Sequence, residues 1–347
     1  MGFEPTEACT SHAFEACSFG RSDTLPRRIL PNDHPCPPPG AFPGAVLAVG
    51  PGDVHNSPVI TRCSIRRLSL LAAVAAAVVV TGGCAPVQED APTSGGATCE
   101  PGSLPTLTAG TLTIGTDEPV YPPWYVDNDP ANGQGFESAV AYAIADQLGY
   151  GAESVTWVRV PFNAAIAPGP KTYDLNLTEF SITDERRQAV DFSAPYYDVA
   201  QTVVALDGSP VAAATTIAEL QSARLGAQIG TTSYTAAADQ IAPTTEVAVF
   251  NTNDDALVAL SNGQIDAVVV DLPTAFYVTS AQLEGASIVG QLPAGSGEAE
   301  QFGAVLDLGS PLTPCVSTAV EGLRSNGTLD ALEEEWLASE GDAPLLR

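Results

Sequence analysis

Hydrophobic and polar positions along residues 104–298 follow two patterns in turn, and together they predict two α/β blocks. Apolar residues that alternate with polar ones predict strands, whereas apolar residues three or four apart predict helices. In the first block, 104–200, a strand at 111–116, a helix at 136–148 and a strand at 154–160 follow one another. Strand, helix and strand in that order favour a parallel α/β unit.

The second block, 201–298, repeats this alternation. Its strands are predicted at 225–229, 247–250 and 265–270, and its helices at 234–240 and 254–260. The last of these strands is a continuous apolar run, which is typical of a strand buried on both faces. The remaining segment, 299–347, predicts a strand at 302–306 and one long amphipathic helical stretch at 314–337.

An export signal is predicted at 59–83. Arg66 and Arg67 precede an apolar run at 68–80, and small residues lead from there to Cys84. A charged segment, a short apolar run and a small-residue site describe a secretory signal, and the run is shorter than the ~20 residues that span a bilayer. The ending at Cys84 resembles a bacterial lipobox with Thr81 where Leu is usual. We therefore expect Cys84 to be lipidated, with a soluble signal peptide as the alternative.

The segments on either side of this signal show no pattern that builds a core. Residues 1–58 contain scattered Pro and Gly without periodicity, so we expect them to be untranslated or a disordered leader. Residues 84–103 are polar and small and predict a flexible tether. The expected location is outside the cytoplasm, anchored to the outer face of the cell membrane only through the lipid on Cys84.

Charge and composition exclude several classes of function. The chain has 13 Lys+Arg against 41 Asp+Glu and a net charge of −28, which opposes binding to nucleic acid. All three histidines (His12, His34 and His55) precede the predicted signal. The exported part therefore has no Ser-His-Asp or Cys-His catalysis and no His-ligated zinc. We predict no metal, no cofactor and no catalytic residue, although carboxylate or Tyr chemistry stays open.

Besides Cys84, the predicted exported part contains two cysteines, Cys99 and Cys315. Outside the cytoplasm an isolated pair of cysteines favours a disulfide. The alternative is two free thiols. A bond would join the start of the folded part to a segment near its end.

Four segments in chain order now match one pattern. They are Gly115–Asp117 with Tyr121–Trp124, Ser181–Thr183 with Arg186 and Val190–Tyr197, Gln228–Thr232, and Gly263–Asp271. Over about 107–340 the chain resembles the family 3 extracellular solute-binding proteins, which capture amino acids for ABC importers. The resemblance implies an α/β fold of the type II periplasmic-binding-protein kind.

This fold has two α/β lobes, here 104–200 with 299–347 and 201–298, joined by two crossing strands near 199–203 and 298–302. A ligand would bind in the cleft between the lobes, which close over it by a hinge. The resemblance also implies permease subunits of an ABC transporter as partners, and we expect a monomer.

The resemblance assigns the amino-acid backbone of a ligand to residues of both lobes. Arg186 would hold the carboxylate with its planar pair of donors, whereas Arg187 is expected at the surface. Ser181, Thr231 and Thr232 would add donors, and helix capping is an alternative role for the two threonines. A surface salt bridge is the alternative for Arg186.

The remaining predicted residues contact the ammonium group or the side chain of a ligand. Asp271 would pair with the ammonium group or cap the helix that follows. Asp117 would reach the ligand side chain. The aromatic residues Tyr121, Trp124 and Phe162 would cover its apolar part, with core packing as their alternative.

Glu179 departs from the family pattern, which commonly has Gly, Ala or Ser at this position. A third carboxylate beside Asp117 and Asp271 favours a cationic amino acid or another cationic amine. Two other functions remain open on this scaffold. One is an enzyme similar to cyclohexadienyl or arogenate dehydratases, and the other is the input domain of a sensor.

Overall fold

The computed structural model describes residues 99–100, 103–295, 297, 299–337 and 343–347. The predicted leader, the signal, Cys84 and most of the tether lie outside the described residues. None of the helices in the described part is long and apolar enough to cross a membrane.

Twelve strands and eight α-helices form the described part of the chain. The strands are β1 (Leu112–Thr116), β2 (Val155–Arg159), β3 (Leu175–Asn176), β4 (Val190–Phe192), β5 (Tyr197–Val199), β6 (Gln201–Leu206), β7 (Leu225–Gln228), β8 (Ala248–Phe250), β9 (Ala267–Asp271), β10 (Ala286–Gln291), β11 (Glu300–Phe302) and β12 (Val305–Asp307). The helices are α1 (Phe136–Gln147), α2 (Phe162–Ala165), α3 (Ile217–Leu220), α4 (Thr232–Thr235), α5 (Asn253–Ser261), α6 (Leu272–Tyr277), α7 (Thr313–Ser325) and α8 (Thr328–Trp336). Two π-helical turns, Ala236–Ile241 and Val278–Gln282, extend α4 and α6.

The first lobe, called lobe 1 here, is built on a five-stranded sheet in the order β2-β1-β3-β12-β4. Strands β2 and β3 run parallel to β1, and β12 is antiparallel to β3 and β4. Helix α1 buries Phe136, Val140 and Ile144 against this sheet and against α7, as the helical spacing of these residues predicts.

The second lobe, lobe 2, has a sheet in the order β10-β6-β9-β7-β8. Its central strand β9 contains Val268, Val269 and Val270, which alternate between two apolar clusters on opposite faces of the sheet. This arrangement explains why the sequence of the strand is continuously apolar. Mixed sheets with helices on both faces agree with the predicted fold class.

Two strands, β5 and β11, pair antiparallel between the lobes, with Glu300 opposite Val199 and Phe302 opposite Tyr197. After β5 the chain enters lobe 2 at β6, and after β11 it returns to lobe 1 at β12. These are the two crossings that the sequence predicts near 199–203 and 298–302.

The last residues pack on lobe 2, although the sequence pattern assigns the whole of 299–347 to lobe 1. Leu345 lies beside Gln291 of β10 in parallel register, and the backbone N–H of Leu346 donates to the Gln291 carbonyl at 2.9 Å. The side chain of Leu346 is 2% exposed within the core of lobe 2. Residues 343–347 therefore extend the lobe 2 sheet at its β10 edge.

Two long elements predicted near the C-terminus are each divided in the structure. The predicted strand at 302–306 is split between β11 in the hinge and β12 in lobe 1. The predicted helix at 314–337 becomes α7 and α8, because Gly327 adopts a left-handed backbone with φ of +78°. Glycine takes that conformation without a steric penalty, so it ends one helix and allows the next to change direction.

A disulfide joins Cys99 to Cys315, which lies in the first turn of α7. This confirms the predicted pairing. The bond ties the segment before β1 to the C-terminal helices of lobe 1 across a sequence separation of 216 residues. A bond that closes so long a loop restricts the unfolded chain strongly.

Replacing both cysteines by serine is therefore expected to lower the free energy of unfolding by about 2–4 kcal/mol. Denaturant titration of the wild type and the Cys99→Ser/Cys315→Ser variant measures this difference. Wild-type protein under reducing conditions is the control and should behave like the variant. Equal stability of all three samples would contradict a stabilising bond.

Candidate functional site

A cavity of about 260 Å³ lies between the lobes, where the strands β1, β7 and β9 end. Open α/β sheets bind ligands at the carboxyl ends of their strands. Nine of the ten predicted ligand residues line this cavity: Asp117, Tyr121, Trp124, Phe162, Glu179, Arg186, Thr231, Thr232 and Asp271. Ligand pockets usually measure about 300–1,000 Å³, so the cavity suits a metabolite rather than a peptide.

The two lobes contact each other across this cavity. The Arg186 guanidinium donates through Nη2 to the carbonyl of Gly230 at 2.9 Å, and the Trp124 indole donates through Nε1 to Thr274 Oγ1 at 3.0 Å. Gly230 has φ of +77°, and a Cβ there would lie 2.3 Å from Oδ1 of Asn163. The lobes are therefore in a closed arrangement, which a side chain at residue 230 would obstruct.

Arg186 is the one guanidinium among the described residues that line the cavity. It is 8% exposed, donates through Nη1 to the Ser181 carbonyl at 2.7 Å, and lies 5.5 Å from the centre of the Phe162 ring. Burial lowers its pKa, and the nearby Glu300 and Asp271 carboxylates oppose that effect. Arg187 is exposed, as predicted. The surface alternative therefore describes Arg187 and not Arg186.

The hydroxyls of Ser181 and Thr232 form a chain that leads to the hinge. Thr232 donates to Oε1 of Glu300 in β11, so the 3.0 Å contact between Ser181 Oγ and Thr232 Oγ1 requires Ser181 to donate. Both hydroxyl protons are used within the protein. In this arrangement neither hydroxyl has a proton to give a ligand carboxylate, which the sequence interpretation had expected of Ser181.

Thr231 has the capping role that was its alternative interpretation. Its hydroxyl accepts from the backbone N–H of Tyr234 at 3.2 Å and donates to the Gln228 carbonyl at 2.7 Å. Thr231, Thr232 and Ser233 still line the cavity. The N–H groups of the first helical turn have no carbonyl within the helix to accept them, and they carry partial positive charge.

Asp271 is the last residue of β9 and directly precedes α6, yet its side chain makes no capping hydrogen bond to that helix. Its Oδ1 accepts from Gln201 Nε2 at 2.7 Å, and the same amide group lies 3.2–3.3 Å from the Glu300 carboxylate. Burial raises the pKa of Asp271 well above its ordinary value, and the charge of Glu300 adds to this rise. A cation entering the cavity would favour the ionised form of Asp271.

Asp117 is held by the backbone of lobe 1. Its carboxylate accepts from the N–H groups of Glu118 at 2.7 Å and Phe162 at 3.3 Å. Burial raises its pKa, and the two backbone hydrogen bonds and Arg159 act against that rise.

The three predicted aromatic residues differ in their surroundings. Trp124 is 2% exposed and packs edge-on against Phe136 and Tyr197, so it belongs to the core as well as to the cavity. Phe162 stacks on Phe180 at 4.8 Å and lies beside Arg186.

Tyr121 is part of a contact between the lobes. Its hydroxyl donates to Asp254 Oδ2 in α5 at 2.6 Å, and its ring stacks on Tyr277 at 6.0 Å. Burial and the Asp254 carboxylate raise the pKa of Tyr121 to about 12. The hydroxyl therefore stays protonated and able to donate to Asp254 at neutral pH.

Glu179 lies within a short chain of hydrogen bonds across the cleft. The hydroxyl of Thr274 in α6 donates to Glu179 Oε2 at 3.1 Å and accepts from the Trp124 indole. Burial raises the pKa of Glu179 well above its ordinary value. The negative charges of Glu137 and Asp271 raise it further. Its carboxylate lies in the same cavity as Asp271 and Asp117.

Negative charge exceeds positive charge in this cavity. Among the described residues that line it, five carry carboxylates, against the single guanidinium of Arg186. They are Asp117, Glu179, Asp254, Asp271 and Glu118, of which Glu118 is exposed. Charges in a site that excludes water need partners of opposite sign. The site therefore suits a ligand with more positive than negative groups.

Sequence reasoning missed four polar residues near the ligand position, namely Gln201, Asp254, Thr274 and Glu300. Gln201 and Glu300 stand at the crossing strands, and Asp254 and Thr274 lie in the first turns of α5 and α6. None belongs to a motif. Proximity of Glu300 and Gln201 to the predicted crossings was the one signal that the sequence offered.

Comparison with known proteins finds amino-acid-binding proteins among those similar to this chain. The L-arginine-binding protein of Pseudomonas aeruginosa is 28% identical over 243 residues, which cover 68% of this chain and 92% of that protein. The structure of an ancestral arginine-binding protein bound to arginine is 30% identical and matches 66% of this chain and 98% of its own, with a TM-score of 0.54.

A third similar structure is an ancestral amino-acid-binding protein described as a precursor of cyclohexadienyl dehydratase. It is 29% identical and matches 65% of this chain and 95% of its own, with a TM-score of 0.53. The family model of bacterial extracellular solute-binding proteins, family 3, matches residues 112–339. That match covers more than half of the chain, so the protein belongs to this family of extracellular solute-binding proteins.

Proposed function

We propose that this protein captures an L-amino acid with a cationic side chain and delivers it to the permease subunits of an ABC importer. The observation that carries the choice of ligand is the excess of carboxylates over Arg186 in the cavity. A ligand with one carboxylate and two cationic groups reduces this excess, whereas an acidic ligand increases it.

In the proposed orientation, the ligand carboxylate lies between Arg186 and the backbone N–H groups at the start of α4. A guanidinium offers two parallel donors to a carboxylate, and N–H groups in a first helical turn favour an anion. The Nη atoms of Arg186 donate here to the carbonyls of Ser181 and Gly230, one in each lobe. The same side chain therefore links ligand recognition to contact between the lobes.

The ammonium group of the ligand is proposed to pair with Asp271, and its cationic side chain with Glu179. Asp271 already accepts from Gln201, and Glu179 from Thr274, so each carboxylate is oriented before a ligand binds. Asp117 is oriented by the N–H groups of Glu118 and Phe162, and its negative charge also acts on Glu179.

The similar proteins support a cationic amino acid, since two of those described above are named for arginine. We propose further that the chain is a binding protein and not an enzyme, acts as a monomer, and is held at the outer face of the membrane by lipid on Cys84. The dehydratase-related neighbour makes turnover of prephenate-like compounds a direct test of the enzyme alternative.

Thermal unfolding of residues 85–347, freed of bound ligand, tests the proposal against the twenty amino acids and common polyamines. A ligand that binds only the folded state stabilises it by about 4 kcal/mol at a thousandfold excess over Kd. We expect arginine or lysine to give the largest shift. A flat screen would overturn amino-acid capture, and turnover of prephenate or arogenate would overturn the binding-protein assignment.

Replacing Arg186 by lysine is expected to weaken every amino-acid ligand, because lysine cannot offer the two parallel donors of a guanidinium. One lost charged hydrogen bond corresponds to about 1.5–3 kcal/mol, or about 10- to 150-fold in Kd. Calorimetric titration of arginine and glutamine measures the effect. Arg187→Lys, at the exposed neighbour, is the matched control and should bind like the wild type. Unchanged affinity in Arg186→Lys would remove Arg186 from the site.

Replacing Glu179 by glutamine is expected to weaken arginine by about 1–3 kcal/mol and to leave glutamine nearly unaffected. The substitution keeps the shape and removes the charge that faces a cationic side chain. Glu185→Gln makes the same change of charge at an exposed position of lobe 1 and controls for the general field of the protein. Equal losses for arginine and glutamine would contradict a contact between Glu179 and the ligand side chain.

A further inference from the structure

A second carboxyl group lies directly behind Glu179 and does not reach the cavity lining. Glu137 is the second residue of α1, and its side chain is completely buried. Its Oε1 accepts from the backbone N–H of Glu179 at 2.7 Å and from the hydroxyl of Tyr196. Its Oε2 is buried and has no hydrogen-bond partner among the described residues. Burying a carboxyl group without full hydrogen bonding costs free energy. The contact between Glu137 and Glu179 is therefore a feature to be explained.

The backbone of Glu179 is the reason why this contact matters. Glu179 has φ of +51°, a left-handed conformation that is sterically unfavourable for a residue with a Cβ. Oε1 of Glu137 accepts a hydrogen bond from the backbone N–H of this strained residue. In the same conformation, Oε2 of Glu179 lies 3.1 Å from Oγ1 of Thr274 in lobe 2. One buried acceptor therefore supports both the backbone and the side-chain direction of Glu179.

We propose that Glu137 is a positioning residue for ligand specificity, which holds Glu179 where its carboxylate meets the cationic side chain of the ligand. This inference rests on the proposed function and adds a residue that does not itself contact the ligand. It predicts that loss of the Glu137 acceptor changes the preference between cationic and neutral amino acids and not binding in general.

The charged and titratable groups around Glu137 also couple it to Glu179. Tyr196 and the backbone N–H of Glu179 donate hydrogen bonds to it. Its negative charge raises the pKa of three neighbouring groups, namely Tyr125, Glu179 and Asp271. Burial raises the pKa of Glu137 to about 7, and the two hydrogen bonds act against that rise. The charge of Glu137 in turn raises the pKa of Glu179.

A cationic ligand favours the ionised forms of these two carboxyl groups. Arginine affinity is therefore expected to rise as the pH increases through about 7, with protons released on binding. The affinity for glutamine should change less over the same range. In Glu137→Gln, the pKa of Glu179 should fall because a neighbouring negative charge is gone, so the rise in arginine affinity should move to lower pH. Calorimetric titration of both ligands from pH 5.5 to pH 8.5 measures these profiles.

Two substitutions at pH 8 separate positioning from stability. Glu137→Ala removes the acceptor and leaves the Glu179 N–H without a partner, so arginine affinity should fall about 10-fold or more while glutamine affinity changes less than about threefold. Glu137→Gln keeps an acceptor oxygen and should lose less arginine affinity than Glu137→Ala. Adding Glu179→Gln to Glu137→Ala should cost little more, because both act through the same carboxylate.

Asp174→Ala is the matched control. Asp174 is another buried carboxylate of lobe 1, which accepts from the backbone N–H groups of Leu107 and Thr113 at 2.7 Å and does not line the cavity. Its loss should lower the melting temperature and affect both ligands alike. The inference is overturned if Glu137→Ala behaves in the same way, with equal losses for arginine and glutamine or with no loss.

A measurement without ligand keeps this inference separate from the proposed function. The ¹³Cδ resonance of Glu179 reports its titration directly, and Glu137→Gln should shift that titration to lower pH. An unshifted titration overturns the coupling, whether or not arginine binds. If the wild type binds no amino acid and Glu137→Gln still shifts the titration of Glu179, the proposed function is contradicted. The contact between the two residues is then supported all the same.

Discussion

The site depends on one electrostatic constraint. Among the described residues, several carboxylates share a closed cleft with a single guanidinium, that of Arg186. Asp271, Glu179 and Asp117 each lose water on burial, and each has a raised pKa for that reason. Hydrogen bonds from Gln201, Thr274 and backbone N–H groups orient these groups without neutralising them. In the function proposed above, the charge that balances them comes with a cationic ligand, and the whole cleft takes part in selecting it.

The residues proposed to recognise the ligand also take part in contact between the lobes. Arg186 contacts a carbonyl of each lobe, and the hydroxyl of Thr232 in lobe 2 contacts Glu300 in the crossing strand. A ligand that replaced one of these hydrogen-bond partners would thereby change the contacts between the lobes. In the proposed mechanism, the lobes close because the ligand binds the closed state more tightly than the open state, and these shared contacts would contribute to that difference.

Much of the fold was predictable because periodic patterns dominate the long elements. Strand β1, helix α1 and strand β9 each carry a single clear pattern, and the predicted bounds differ from the observed ones by a residue or two. The predicted strand at 302–306 failed because hydrophobicity alone does not reveal that the chain changes sheets there. Arg186 and Asp271 were found through motifs. Glu300, Thr274 and Glu137 have no motif, and only the three-dimensional contacts bring them to the site.

The C-terminal segment, residues 343–347, changes what counts as a separable part of the molecule. Helix α8 packs in lobe 1, whereas Leu346 lies in the core of lobe 2, so the chain passes between the lobes three times. A fragment cut at the two crossing strands would retain β10 but expose its open edge and the pocket that Leu346 fills. Unpaired strand edges invite pairing with other chains. The smaller lobe is therefore not a self-contained module, and a label attached to Arg347 would move with lobe 2 although the helices just before it belong to lobe 1.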